Sequence, residues 1–329
     1  MYYLSIKKED WHRSLEKLLS SHDIFVPVKD ELSLDYEPFR LNQADKIAYN
    51  VPKPATPLKN FFLPVRENVT GAVKNGRPRI IIGVPNCDVT ALRLLDEIYL
   101  DEAFTDPFYS QRRKNTLIIS SDCHSVNEHC HCTSYGVNPW PEEIADMGLI
   151  SVGDCIVLRI ITSRGAELAK EFPAADPVDD PSRIRLAEER QKETEAALAG
   201  QNKNLPDYRT TGEIVLKAGR EIWQKYASKC VSCGACTTIC PTCSCFILID
   251  RPGFEKIKHT DACQYPGFER VAGGEDALFE LDQRFRNRYM CKYVWRPQKF
   301  NALACTGCGR CIEACLGKIN KNELFMEFV

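Results

Sequence analysis

The sequence predicts an α+β protein, with an N-terminal mixed α/β domain followed by a smaller cysteine-rich unit. Three observations carry this expectation. Short apolar runs at Ile80–Val84 and Thr116–Ser120 flank a helical stripe, the pattern of a parallel strand–helix–strand unit. A proline-broken, charge-rich stretch divides the chain near its middle. Beyond it one cysteine pattern occurs twice, as Cys230-x2-Cys233-x2-Cys236-x3-Cys240-Pro241 and as Cys305-x2-Cys308-x2-Cys311-x3-Cys315. The 329 residues are 44% apolar with a formal charge of −2, enough chain for two cores. The expected division is 1–172 for the α/β domain, 173–211 for a linker with a charged helix, and 212–329 for the cysteine-rich domain.

The elements follow in order. Asp10–Ser20 sets Trp11, Leu15, Leu18 and Leu19 on one helical face. Asp23–Val28 reads as a strand, and Ile80–Val84 as a buried strand ending in a loop. Asp88 reads as the N-cap of a helix carrying Leu92, Leu95 and Tyr99 on one side. Thr116–Ser120 is the second buried strand, Ile156–Ile161 a further one, and Glu167–Phe172 a helix. Pro173, Pro177 and Pro181 then break the chain. Asp180-Pro181-Ser182 opens a polar helix to about Ala199, read as a solvated connector, with a partner-docking helix as the sharper alternative. Gly212–Tyr226 reads as one helix leading directly into Cys230.

Three thiolates spaced by two residues wrap one [4Fe–4S] cubane, and a fourth, further on, reaches its neighbour. This is the ligand run of a bacterial two-cluster ferredoxin, so the C-terminal domain is expected to be ferredoxin-like and dicluster. The expected crossing puts Cys230, Cys233, Cys236 and Cys315 on cluster 1, and Cys305, Cys308, Cys311 and Cys240 on cluster 2. Paired structural zinc sites are the bland alternative, but these usually come as separated CxxC pairs. A disulfide framework requires an oxidising compartment. Gly234, Gly307 and Gly309 fit close approach of backbone N–H groups to cluster sulfur. One departure is Leu316-Gly317 after Cys315, where the pattern expects proline.

An insertion of about residues 243–304 separates the two motifs. It holds Cys243, Cys245, Cys263 and Cys291, a candidate extra site for which only their number argues; a free cysteine is commonly a small buried hydrophobe, the default for Cys155. It also holds Arg284, Arg286, Arg288, Lys292 and Arg296 among Phe285, Tyr289, Tyr293 and Trp295. Basic residues mixed with aromatics suit nucleic acid, but the near-neutral chain favours a packed element with its charges facing water or a partner. In the N-terminal domain, Cys87 and Cys123 follow two strands expected to be parallel neighbours, where sites of open α/β sheets lie. Cys130 and Cys132 complete a set that suits either a third [4Fe–4S] cluster or a mixed-ligand zinc site, and spacing alone leaves both open. The bland reading of His124, His129 and His131 is that they support the site or the surface rather than ligate.

No apolar run reaches membrane-spanning length, the N-terminus lacks a signal peptide, and seventeen cysteines point to metal rather than disulfides, so the expected compartment is the cytoplasm. No G-x-G-x-x-G and no P-loop occurs, so no flavin or nucleotide is expected on this chain.

Several stretches together resemble the iron–sulfur β subunits of cytoplasmic NiFe hydrogenases (sulfhydrogenases) and the corresponding iron–sulfur subunit of anaerobic sulfite reductase. They are Gly83-Val84-Pro85-Asn86-Cys87-Asp88, Asp106-Pro107-Phe108-Tyr109, Cys123 with Cys130-His131-Cys132-Thr133-Ser134-Tyr135-Gly136, Cys240-Pro241-Thr242-Cys243-Ser244-Cys245, Cys263, Val271-Ala272-Gly273-Gly274 and the second ferredoxin copy. The resemblance implies three [4Fe–4S] clusters, the third on Cys87, Cys123, Cys130 and Cys132. It also implies a subunit with no catalytic residue of its own, relaying electrons between a flavoprotein that exchanges them with NAD(P)H and a catalytic subunit of an anaerobic oxidoreductase, a NiFe hydrogenase or sirohaem sulfite reductase. Departures are Cys291, where the family often has His, and Leu316. The rivals are a self-contained reductase acting on a sulfur compound or disulfide beside one cluster, and an iron–sulfur nucleic-acid protein.

Overall fold

The computed structural model describes residues 2–178, 180–302 and 304–327. Eleven strands lie among them: β1 (Tyr2–Lys7), β2 (Asp23–Lys29), β3 (Leu34–Pro38), β4 (Arg66–Asn68), β5 (Arg79–Pro85), β6 (Thr116–Ser121), β7 (Met147–Val152), β8 (Cys155–Ile160), β9 (Asp176–Pro177), β10 (Phe246–Arg251) and β11 (Glu255–Thr260). The helices of the first half are α1 (Lys8–Leu18), α2 (Asn86–Tyr99), α3 (Pro107–Lys114), α4 (Ser163–Ala169) and α5 (Pro181–Gln201). The second half adds α6 (Thr211–Lys217), α7 (Arg220–Ala227), α8 (Ala235–Thr238), α9 (Leu281–Met290), α10 (Arg296–Phe300), α11 (Arg310–Glu313) and α12 (Lys321–Met326).

A mixed eight-stranded sheet, in the order β3-β2-β5-β6-β7-β8-β1-β9, carries the N-terminal half. Its centre, β2-β5-β6-β7, is parallel, and its outer pairs are antiparallel. Side chains alternate across the pleat. Ile80, Ile82 and Ile119 meet Trp11 and Leu15 of α1 on one face, while Ile81, Val84 and Ile118 meet Leu92 and Leu95 of α2 and Tyr109 of α3 on the other. Both faces are covered, so the central strands read as unbroken apolar runs rather than alternating ones. The second half is built around an aromatic core of Trp223, Phe285, Tyr289, Tyr293 and Phe325, joined by Tyr135 from the first half.

The expected α/β character and the parallel strand–helix–strand unit are present, with three local corrections. Asp88 is not the cap of α2: the cap is Pro85, and Asp88 sits inside the first turn, where it accepts the Leu58 N–H at 3.1 Å and faces Arg310. The helix expected over Gly212–Tyr226 is two helices, α6 and α7, because Ala218 and Gly219 are extended. Trp223 then donates its indole N–H to the Ala218 carbonyl at 3.2 Å, holding the break. The helix expected at Glu167–Phe172 runs four residues earlier, from Ser163, because Thr162 caps it by accepting the Gly165 N–H.

The two halves interlock. Strand β4 of the first half pairs with β11 of the second. Lys53 reaches Glu313 at 2.8 Å, and Lys258 reaches Asp106 at 2.7 Å. The deepest link is the bidentate pair of Arg310 on α11 with Asp88 on α2, whose side chains are 1% and 0% exposed; Arg310 also donates twice to the Pro54 carbonyl. Removing one partner strands a buried charge, which costs about 3–5 kcal/mol, whereas replacing both with apolar groups costs far less. Asp88→Leu and Arg310→Leu are each expected to lower the unfolding free energy of the anaerobic protein, measured by urea titration, by that amount, and the double variant to recover most of it. Additive losses in the double variant would contradict the coupling.

Candidate iron–sulfur site

The two ferredoxin copies fold alike. Each places a four-residue helix after its second cysteine, α8 and α11, entered through a left-handed residue, Gly234 (φ 72°) and Gly309 (φ 76°). The residue between the first two cysteines is also left-handed in both, Ser232 (φ 53°) and Gly307 (φ 64°). Glycine is required in the second copy because a Cβ at Gly307 would lie 2.3 Å from the His131 carbonyl oxygen.

Cys230, Cys233, Cys236 and Cys315 line one apolar cavity with Phe285 and Tyr289. The Ser232 N–H points at Cys230 Sγ at 3.4 Å and the Ile319 N–H at Cys315 Sγ at 3.3 Å, so backbone donors are already aimed at sulfur. Cys311 of the second copy borders the same cavity. Cys240, from the first copy, lies within electrostatic reach of Cys305 and Cys308, as a crossed arrangement demands. The Cys240 thiol is held well below its ordinary value by a hydrogen bond from Cys243, and then by Lys292 and Lys59, against its burial. Lys292 Nζ lies 3.0 Å from Cys240 Sγ, 2.8 Å from Thr242 Oγ1 and 2.9 Å from the Ala304 carbonyl. Cys305 is also lowered: burial raises it, but Lys321 and Lys292 outweigh that.

The N-terminal set comes together at the sheet edge. β5 and β6 are parallel neighbours in register Pro85↔Ser121, and Cys87 and Cys123 each follow two residues beyond these strand ends. With Cys130 and Cys132 they line a single cavity, whose wall is completed by Gly307 and Cys308 of the second ferredoxin copy. The His131 N–H donates to the Gly307 carbonyl at 2.9 Å, so this cavity abuts the second copy through the backbone. Burial first, then the neighbouring thiols Cys132 and Cys130, pushes Cys123 well up; Cys132 is pushed up to about 12 by burial and Cys130. Lys53 Nζ faces Cys130 Sγ at 3.6 Å. His131 is buried and, by burial and then Lys321, kept neutral, its Nδ1 against the His129 carbonyl; it sits behind the ligand loop.

The expectation of a solvated connecting helix misses what α5 does. Thr194 donates to the Cys123 carbonyl at 2.9 Å, Gln191 to Asp122 at 2.6 Å, and Gln201 and Asn202 both to the Cys130 carbonyl, so α5 straps the four-thiol loop. The basic run is a packed element, as favoured, but its charges face inward rather than outward. Arg284, Arg288 and Lys292 are buried, and Arg288 and Lys292 lie against cysteines. Their spacing of four places them on one helical face, a signal present in the sequence. Lys53 and Lys59 carried no comparable signal. Among the described residues no cysteine forms a disulfide. Among the described residues, no three Cys, His, Asp or Glu side chains converge on one ion, whereas a cubane takes its four sulfurs at separate corners. The tandem CxxCxxC runs, each with a further cysteine after three intervening residues, are the donor pattern of cubanes.

Residues 229–319 match the family described as a 4Fe-4S dicluster domain. The chain is similar to the sulfhydrogenase 2 β subunit of Pyrococcus furiosus, with 29% identity over 339 positions spanning 99% of this chain and 98% of that subunit.

Gly307→Ala is expected to cost about 2 kcal/mol or more, roughly 1–2 from the left-handed backbone and the rest from the clash with His131, and to loosen the N-terminal cavity. Gly253, equally left-handed at φ 80° but with open space around its Cβ position, is the control: Gly253→Ala should cost only about 1 kcal/mol. Equal thermal-shift losses in the two variants would refute the close apposition of the two sites.

Proposed function

We propose that this iron–sulfur chain of the hydrogenase β-subunit type is an electron relay, with one [4Fe–4S] cluster on Cys230, Cys233, Cys236 and Cys315, one on Cys305, Cys308, Cys311 and Cys240, and a third on Cys87, Cys123, Cys130 and Cys132. The observation that carries it is the shared wall: Gly307 and Cys308 line the N-terminal four-thiol cavity, and Cys311 lines the cavity of the first copy. Three thiol sites thus form a continuous row from the sheet edge through the C-terminal half. Bound cubanes supply one-electron transfer. The chain contributes burial, N–H donors to sulfur and positive charge, which set how readily an electron is accepted.

Lys292, Lys321, Arg288 and Lys53 each face a cysteine set. With Arg284, Arg288 and Lys292 turned inward, the basic run is not displayed for a nucleic-acid backbone. The reading assigns the ends of the row to partners: a flavin-containing NAD(P)H oxidoreductase on one side, and on the other a catalytic subunit such as a NiFe hydrogenase or a sirohaem sulfite reductase. The domain limits at 172 and 211 and a cytoplasmic location belong to the same reading. No described helix is long and apolar enough to cross a membrane.

Iron and acid-labile sulfide analysis of the anaerobically purified chain tests the assignment. Cys132→Ala should remove about four irons per chain and leave the ferredoxin pair; unchanged iron, or zinc in its place, would contradict the third cluster. Lys292→Met should lower the potential of the cluster held by Cys240 by about 50–100 mV in an EPR-monitored titration, since a buried cation has been withdrawn from beside a sulfur ligand. No shift would separate Lys292 and Cys240 from that cluster.

A further inference from the structure

Three clusters leave five cysteines unused, and four of them are gathered in one place. Cys243 and Cys245 lie between Pro241 and β10, Cys263 follows β11, and Cys291 opens a π-helical turn, Cys291–Trp295, at the end of α9. The β10–β11 hairpin closes with Phe246 opposite Thr260, and the Asp261 N–H donates to the Cys245 carbonyl at 3.0 Å, which brings Cys245 beside the Cys263 segment. The π-turn is pinned over the same loop. Lys292 reaches Thr242 Oγ1 at 2.8 Å, and Arg296 donates to the Thr242 carbonyl and to Ser244 Oγ, the latter at 2.9 Å. Cys243 and Cys245 line one cavity together with Lys59. π-turns inside helices occur frequently at functional sites.

Cation placement adds a second observation, in which Lys292 is shared with the site of Cys240. Lys59 is 5% exposed and donates only to the carbonyls of Thr237 (3.2 Å) and Cys243 (3.0 Å). Among the described residues, neither Lys59 nor Arg296 nor Lys292 makes a salt bridge to a carboxylate. All three lie within electrostatic reach of Cys243. Packing of four free cysteines as small hydrophobes supplies no reason to bury cations beside them. An anionic group held on those thiols does.

We propose that Cys243, Cys245, Cys263 and Cys291 hold a fourth [4Fe–4S] cluster, beside the one that Cys240 ligates. Every cysteine except Cys155, which is buried in β8, is then a ligand. The inference rests on the relay reading only in taking iron–sulfur as the chemistry of the chain.

The test is iron, sulfide and zinc analysis with Mössbauer spectroscopy on the anaerobically isolated full chain. About sixteen irons per chain are expected, falling to about twelve in Cys245→Ala and in Cys291→Ala, with Cys155→Ala unchanged. Cys291→His, which keeps a side chain able to bind iron, should retain more iron than Cys291→Ala and guards against loss through misfolding. About twelve irons in the wild type, unaltered in Cys245→Ala and Cys291→Ala, would overturn the fourth cluster, as would loss of one zinc in those variants. Failure of the third cluster is read separately, from Cys132→Ala.

Discussion

Buried positive charge without a carboxylate is the constraint around which the second half of this protein is organised. Lys59, Arg288, Lys292 and Lys321 are each 3–5% exposed. Among the described residues none of them makes a salt bridge. An uncompensated buried ion costs several kcal/mol, which an anionic counterpart offsets; burial by itself pushes Lys59 down, toward its neutral form. The groups they do face are cysteines: Cys236 and Cys311 for Arg288, Cys240 and Cys243 for Lys292, Cys243 and Cys240 for Lys59, and Cys305 for Lys321. In the proposed relay, thiolates carrying iron provide that charge, and the same cations then tune electron affinity. Fold stability and redox function are in this sense one electrostatic problem.

The first half solves its part differently. Its four thiols hang from the ends of two parallel strands and from the loop that follows, and the wall of their cavity is supplied by the second ferredoxin copy. The Asp88–Arg310 pair fixes α2, whose first turn carries Cys87, against α11, whose first turn carries Cys311. Helix α5 closes the far side by hydrogen bonds to the Cys123 and Cys130 carbonyls. The N-terminal site is thus built by four separate stretches of chain, and none of them shapes it alone.

This explains how much was legible in advance. The parallel strands announced themselves because both faces of the sheet are covered and their residues are uniformly apolar. The ferredoxin copies announced themselves because ligand spacing is dictated by cubane geometry. Arg284, Arg288 and Lys292 stood on one face by their spacing of four, yet the sequence could not say whether that face met water or sulfur. Asp88 resembled a cap because an acidic residue near a helix start usually is one, and its true partner lies 222 residues away. Lys53, in irregular chain, and Lys59, in the short 3-10 helix Leu58–Phe61, acquire meaning only from what folds onto them. The grouping of Cys243, Cys245, Cys263 and Cys291 depends on a hairpin and a π-turn, neither of which has a spacing rule.

The central claim is that the thiol sites form one continuous row, with the N-terminal site seated against the second ferredoxin copy. Anomalous diffraction at the iron edge from anaerobically grown crystals tests it most directly. The account predicts an iron cluster bounded by Cys87, Cys123, Cys130 and Cys132 and touching the Gly307–Cys308 backbone, next in line to the cluster held by Cys305, Cys308, Cys311 and Cys240. A single zinc peak at that position, or no anomalous signal between those four cysteines, would contradict it.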